Sequence, residues 1–429
     1  MELADTTGLG PVAVRYGGSN PPGRTICSTY MDRKGKSFCK DCGMPSVYHV
    51  ETWFDELMHR FLPSIRLSRT VEHFFDVLLE KFFTFSRLAV LRDGFTRSDI
   101  QLRSSCFVEE LRKRGATVWA LRGPFGYTNH FLAEINGKVV RFESLPTADF
   151  ASACNTCLVD DKAKTKLCLQ EGNFPVAEGK SFWFWQKKRA IEFGIQELGF
   201  PLVVKPRGGS IARHVTTSIR NKEALRKAID KAVAYSPAFI IERFIANSFV
   251  YRATVVDFDY VACVKQVPAN VVGDGISTIR VLIDRKNNEL GRGESHQKEY
   301  TLYTIIENET TAKLLSEKGY TIQSVPQKGE IVFLQYDPFL KLGGDLVEVT
   351  AEVHLDNLAL FKQVARYFDI RVVGIDFLAH NISRSWQEQQ CAILELNSAT
   401  CIELHHFPYS GQPQNVAAAL VKLFFKYYL

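Results

Sequence analysis

Two apolar runs, RVVGIDFLAH (371–380) and AILELNSAT (392–400), each carry an acid where a buried strand ordinarily carries hydrocarbon. On a strand, alternate side chains share a face, so Glu395 and Asn397 point together while Leu394 and Leu396 point away. The first run reads as an apolar strand ending in Asp376. An acid on one strand facing Glu-x-Asn on the next would bring three oxygen donors to one point. Carboxylate and amide oxygens are the ligands a hard cation such as Mg²⁺ takes. Either run alone reads equally as a strand with one wet face, so the segments around them have to decide.

Those segments predict a mixed α/β (α+β) protein. Residues 1–45 are rich in Gly, Pro, Ser and Thr, an irregular lead-in. VETWFDELMHRFL and TVEHFFDVLLEKFFTF repeat apolar residues at three- and four-residue spacing, as amphipathic helices do. SSCFVEELRKRGATVWAL reads as a helix ended by Gly115, then a strand. HFLAEINGKVVRFESLP reads as a hairpin around Asn136-Gly137. These form a small α/β domain over 46–155. Beyond it, DDKAKTKL opens a helix, WFWQKKRAIEFGIQELGF and KEALRKAIDKAVAYS are helices, and PLVVKP and PAFIIERFI are strands. From 249 strands dominate (FVYRATVVDFDYVACVKQV), with helices at AKLLSEKG, DNLALFKQVARYF and NVAAALVKLFFKYY.

GIDF followed by ELN resembles the metal-binding signature of the ATP-grasp ligases. The resemblance implies that Asp376, Glu395 and Asn397 bind the one or two Mg²⁺ ions that bridge the nucleotide phosphates. DDKAKTKL, with Lys162, resembles the first phosphate-contacting segment. FPLVVKPRGGS is similar to the strand carrying the second lysine, Lys205, and the phosphate-covering loop with Gly208, Gly209 and Ser210. FIIERFI, through Glu242, Arg243, Phe244 and Ile245, looks like the hinge that holds adenine. Arg252 in VYRATVV stands where the family has an arginine facing the transferred phosphate. VPANVVGDGISTIRVLID, VPQKGEIVFL, KLGGDLVEVTAEVHLDN and HHFPYSGQPQNV narrow the resemblance to the ATP-grasp domain of cyanophycin synthetases and bifunctional glutathione synthetases. It spans roughly 155–429. The fold it implies has two lobes, each with a β-sheet and helices, at 156–248 and 249–429, preceded by the small domain.

The physics agrees with the likeness. Phosphoryl transfer rests on positioning and charge neutralisation, which lysines, a divalent ion and Gly-rich backbone N–H groups supply. The activity implied is a carboxylate–amine ligation: ATP phosphorylates a substrate carboxylate, and an amine displaces the phosphate to leave an amide. Two readings stand beside it, a nucleotide-binding scaffold that has lost turnover and a kinase using the same site. Some segments depart from the family. ANSFVYR has no carboxylate where relatives hold the ribose, leaving Asn247 or Ser248. GGSIARHV has fewer glycines, with Arg213 and His214 as added loop contacts. PFLKLGG carries Phe339 and Lys341 before the double glycine. Set against a full cyanophycin synthetase, the chain has no muramyl-ligase-type segment, so a single ligation is expected rather than polymerisation.

FCKDCG and ACNTCL place Cys39/Cys42 and Cys154/Cys157 as two Cys-x-x-Cys knuckles, a candidate structural zinc site. Ten cysteines without a secretory signal otherwise read as reduced cytosolic thiols. His405 and His406 fall on the acceptor side in the resemblance, and His354 reads as a cap or packing residue. A net charge of +6 over 429 residues is too small to argue for nucleic acid. With no apolar run of about 18 residues, no membrane span is expected. The expected partners are amino acid or peptide substrates, with a homodimer as candidate oligomer and the cytoplasm as location.

Overall fold

The computed structural model describes residues 29–31, 37–39, 46–61, 77–78, 80–146, 150, 155, 158–159, 161–208, 214–294, 297 and 299–429. Two compact units share the chain. The first takes residues 1–66, 160–248 and 390–395, the second 67–159, 249–389 and 396–429.

The first unit is built on a four-stranded antiparallel sheet in the order Gly179–Trp183, Ala238–Arg243, Leu202–Pro206, Thr216–Ile219. Its apolar face follows from strand alternation: Phe239 and Ile241 of one strand and Leu202 and Val204 of its neighbour enter a cluster with Leu225, Ala228 and Ile229. Those last three come from the helix Lys222–Val233, which starts where the Asn221 side chain accepts from the Ala224 N–H. Period two then turns Glu242 and Lys205 to the opposite face. WFWQKKRAIEFGIQELGF is not one α-helix: it passes from strand to a 3₁₀ turn at Phe184–Gln186, an α-helix at Lys187–Phe193 and a π turn at Gly194–Leu198. Gly194 lies against Leu202 and Leu225, where a Cβ would crowd both side chains.

The second unit holds a five-stranded sheet in the order Asp345–Glu348, Tyr260–Val267, Phe249–Val256, Val372–Ala379, Cys391–Asn397. The last strand is divided, with its residues through Glu395 in the first unit and Leu396 and Asn397 in the second. The strand carrying GIDF does not stop at Asp376 but continues to Ala379. On one face Phe377 meets Phe361 of the helix Leu355–Tyr367 edge-on at 5.3 Å. The other face presents Arg252, Asp376 and Thr254. A four-stranded antiparallel sheet, Val90–Arg92, Thr117–Gly123, Gly126–Ile135 and Lys138–Glu143, also belongs to this unit. Asn136 and Gly137 make its hairpin with φ of 52° and 74°, the left-handed pair that the dipeptide favours. Among the described residues no helix is long and apolar enough to cross a membrane.

Candidate functional site

In the first unit the helix Lys162–Glu171 begins on Asp161, whose carboxylate accepts from the N–H groups of Ala163 and Lys164. Arg207 holds the same carboxylate at 3.0 Å. Burial pushes the Asp161 carboxyl up, but the Arg207 charge and the hydrogen bonds outweigh it and leave it below the usual value. Lys162, Thr165, Lys166 and Leu169 recur at the spacing of one helix face and line a narrow recess with Ala177, Lys205 and Glu242. Glu242 is the centre of that recess. Its carboxylate is 2.5 Å from the Lys166 ammonium and 2.8 Å from that of Lys205, and its side chain is only 6% exposed. Burial opposes its ionisation, yet two flanking ammonium charges hold the carboxyl below its ordinary value. Burial also draws the Lys166 ammonium down, with Glu242 acting against that. Lys162 lies 3.4 Å from Glu395 within the same unit.

Lys162, Lys205, Glu242 and Glu395 thus come together in one unit. Lys166, a turn beyond Lys162, is the member that sequence reasoning missed. Its spacing to Lys162 was the available signal. Arg243 turns outward to Glu178 at 2.9 Å, and the Phe244 N–H donates to the Pro201 carbonyl at 3.0 Å. Ile245 accepts from the Ser248 hydroxyl at 2.8 Å, which occupies one of the two side chains considered for ribose. Gly208 sits against Glu56: a Cβ there would lie 2.9 Å from a carboxylate oxygen. Gly209, Ser210 and Arg213 lie outside the described residues. His214 is buried, with its Nδ1 3.0 Å from the Lys231 carbonyl.

In the second unit Arg252 and Asp376 face each other across paired strands. The guanidinium grips the carboxylate through both oxygens, with Nη2 2.8 Å from Oδ2. Both side chains are nearly buried. Gly374 permits this, because a Cβ there would stand 3.2 Å from Arg252 Nη1 and 2.9 Å from Thr400 Oγ1. Among the described residues, the buried amide nitrogen of Asn397 has no hydrogen-bond partner. Glu403, not singled out from sequence, is partly buried 3.8 Å from Arg103, and its partial burial pushes its carboxyl up. His405 is fully buried, with Nε2 2.8 Å from Thr254 Oγ1 and Nδ1 3.4 Å from Glu348. His406 accepts from the Ala417 N–H, and burial lowers it to about 4. Both histidines thus make packing contacts within the second unit, His405 fully buried and His406 half-buried. His354 caps the helix Leu355–Tyr367 through its Nδ1. Phe339 stands before the 3₁₀ turn Leu340–Leu342, with Lys341 exposed on it.

Of the zinc candidates, Cys39 is described and buried. Cys42, Cys154 and Cys157 lie outside the described residues.

No family model matches the chain. Cyanophycin synthetase of Trichormus variabilis is 33% identical over 340 residues, covering 78% of this chain and 36% of that protein. The glutathione biosynthesis bifunctional protein GshAB of Clostridium perfringens is 25% identical over 331 residues, 76% of this chain and 41% of that one. The chain thus spans about a third of the length of the cyanophycin synthetases it matches. In fold, it superposes on a bifunctional glutathione synthetase from Pasteurella multocida with a TM-score of 0.62 at 22% identity, over 81% of this chain and 46% of that one. The chain is thus similar in sequence to cyanophycin synthetase and GshAB, and in fold to a bifunctional glutathione synthetase.

Proposed function

We propose that the chain is an ATP- and Mg²⁺-dependent ligase that joins an amino acid or peptide carboxylate to an amine. The carboxylate oxygen attacks the γ-phosphorus of ATP, the bond to the β-phosphate oxygen breaks, and ADP leaves. The amine nitrogen then attacks the acyl phosphate carbon, phosphate departs with its electron pair, and the nitrogen loses a proton to give the amide.

The observation that carries this reading is the recess around Glu242. Three ammonium groups, Lys162, Lys166 and Lys205, line it with Glu242, and Glu395 stands 3.4 Å from Lys162. Such a set leaves net positive charge for phosphate oxygens to neutralise, with Glu242 keeping the lysines aimed while no anion is bound. Lys162 and Lys205 would hold the nucleotide phosphates with the backbone of Gly208, Gly209 and Ser210. Glu242 through Ile245 would form the adenine hinge. Arg252 would face the transferred phosphate.

Asp376, Glu395 and Asn397 offer two carboxylates and an amide, an oxygen set that suits Mg²⁺. The uncommitted amide nitrogen of Asn397 is consistent with a side chain fixed for its oxygen. When bound, the ion would supply charge neutralisation at the phosphates. Arg252, which grips both oxygens of Asp376, orients that carboxylate. The finer proposals are amino acid or peptide substrates, a homodimer and a cytoplasmic setting.

ADP release with a panel of amino acids and short peptides tests the reading, with Asp376→Asn as control. The expected result is amine-dependent turnover, lowered about 10²-fold or more in the variant. Turnover without any amine would make the protein a kinase. The ribose-side serine spent on Ile245 favours a second reading, a nucleotide-binding scaffold, which ATP binding without turnover would support.

A further inference from the structure

Three side chains far apart in sequence, Cys39, His49 and His214, converge inside the first unit. Cys39 ends the strand Ser37–Cys39, His49 lies in the first turn of the helix Ser46–Phe61, and His214 precedes the strand Thr216–Ile219. Their exposures are 0%, 6% and 2%. One sulfur and one ring nitrogen from each histidine lie within 4.8 Å of one another. The Cys39 sulfur stands 3.6 Å from His214 Nε2. Around a tetrahedral zinc, a thiolate at about 2.3 Å and an imidazole nitrogen at about 2.0 Å are separated by about 3.5 Å. The observed edge is the edge such a site requires.

The hydrogen bonding of His214 gives the same answer. Its Nδ1 is 3.0 Å from the Lys231 carbonyl oxygen. A carbonyl only accepts, so Nδ1 carries the proton and Nε2 presents its lone pair toward the sulfur. Metal-bound histidines are oriented this way, by a carbonyl or carboxylate behind the ring. Tyr235, itself buried, stacks on the His214 ring at 5.0 Å, and His49 meets both rings edge-on at 5.0 and 5.2 Å. His214 has φ of 56°, a conformation a non-glycine residue keeps only where its surroundings impose it. A thiol and two imidazoles gathered out of water at ligand spacing are costly as bare polar groups and inexpensive as a coordination sphere.

We propose that Cys39, His49 and His214 hold a zinc ion that fastens the segment leading into the helix Ser46–Phe61 to the strand Thr216–Ile219. Thiolate with imidazole is the donor set of structural zinc, and three such ligands leave one tetrahedral position for a further one. This set differs from the four-thiol site suggested by the two Cys-x-x-Cys knuckles. It shares only Cys39 with it. The inference does not depend on the ligase reading.

Metal content of the full chain, expressed in zinc-supplemented medium, tests it. About one zinc per chain is expected, falling at least about tenfold in Cys39→Ser, His49→Ala and His214→Ala. His214→Cys should keep the metal, which separates a lost ligand from a lost fold. Exchange of the wild-type ion for Co²⁺ should give a thiolate-to-cobalt charge-transfer band, and the His214→Cys variant a stronger one. The double variant Cys154→Ser/Cys157→Ser should retain zinc. A wild-type chain without zinc or a cobalt–thiolate band would overturn the proposal. So would copper in place of zinc, or zinc lost with the Cys154/Cys157 pair.

Discussion

Glu242 answers two lysines with one carboxylate, and its removal would strand both. Breaking a buried pair by taking away one partner typically costs about 3 kcal/mol, because the remaining charge keeps its desolvation penalty. Glu242→Gln preserves size and an acceptor oxygen but not the charge, so it isolates that electrostatic share. The pH dependence has a definite sign. The folded-state carboxyl lies below its ordinary 4.5, so its contribution is complete above about that pH and is lost as pH falls through the folded value. Urea unfolding should therefore show the variant less stable than the wild type at pH 7, with the gap narrowing as the pH is taken down below the ordinary carboxylate value. A gap that stayed constant with pH would mean that packing, not charge, holds the recess. Phosphate affinity should fall as well, since Lys166 and Lys205 would no longer be held together.

At the scale of elements, Asp345 does for strands and helices what Glu242 does for side chains. It opens the strand Asp345–Glu348 and accepts from Lys286 of the helix Ile279–Asn287 at 2.6 Å, from Asn270 at 2.8 Å and from Arg292. Tyr409 lies over the Lys286 ammonium at 4.6 Å. Asp345→Asn takes from buried Lys286 its carboxylate partner and leaves Arg292 with the half-exposed Glu289 alone, and should cost about 3–5 kcal/mol. Glu289→Gln, on the exposed side of Arg292, should change stability by less than about 0.5 kcal/mol. Equal urea midpoints for the two variants would refute that ranking. None of this network was readable in KLGGDLVEV, because its cations come from far upstream. What could be read was local: the hairpin at Asn136-Gly137 and the helix end at Gly115 with its φ of 85°. The turn at Asp257-Phe258 has both residues at positive φ without a glycine, so FVYRATVVDFDYVACVKQV showed strands but no turn. Lys166 was hidden as one lysine among several in a polar helix. Cys39, His49 and His214 were hidden by distance along the chain. Periodicity reports faces, and it is silent about which distant charges or ligands will meet there.

Over the whole molecule, the stretch that carries the ATP-grasp resemblance is not the stretch that closes its own core. The C-terminal helix Val416–Tyr428 buries Val416, Leu420, Val421, Leu423 and Phe424 in a cluster that also contains Phe107, Leu111, Phe131 and Phe142, all from upstream of residue 156. Phe424 meets Phe107 at 5.7 Å and Phe142 at 6.3 Å, while Phe150 meets Tyr427 at 5.2 Å. The Lys138 ammonium caps the helix by donating to the Tyr428 carbonyl at 3.2 Å. A chain of residues 156–429 would keep every residue proposed for nucleotide and Mg²⁺ yet uncover one side of this helix. Two or three large side chains exposed in this way cost about 5 kcal/mol, on the scale of a domain's entire net stability. The same apolar face would become a contiguous exposed patch, which drives association. Size-exclusion chromatography should find this shortened chain aggregated and binding a hydrophobic dye, while the full chain elutes as a defined species. Co-expression with residues 67–155 as a separate polypeptide should restore solubility, because the lost contacts are made by packing and not by chain connectivity. A shortened chain that melts cooperatively at the full-length temperature would show that the upstream domain is an appendage and that the cluster around Phe424 adds nothing to stability.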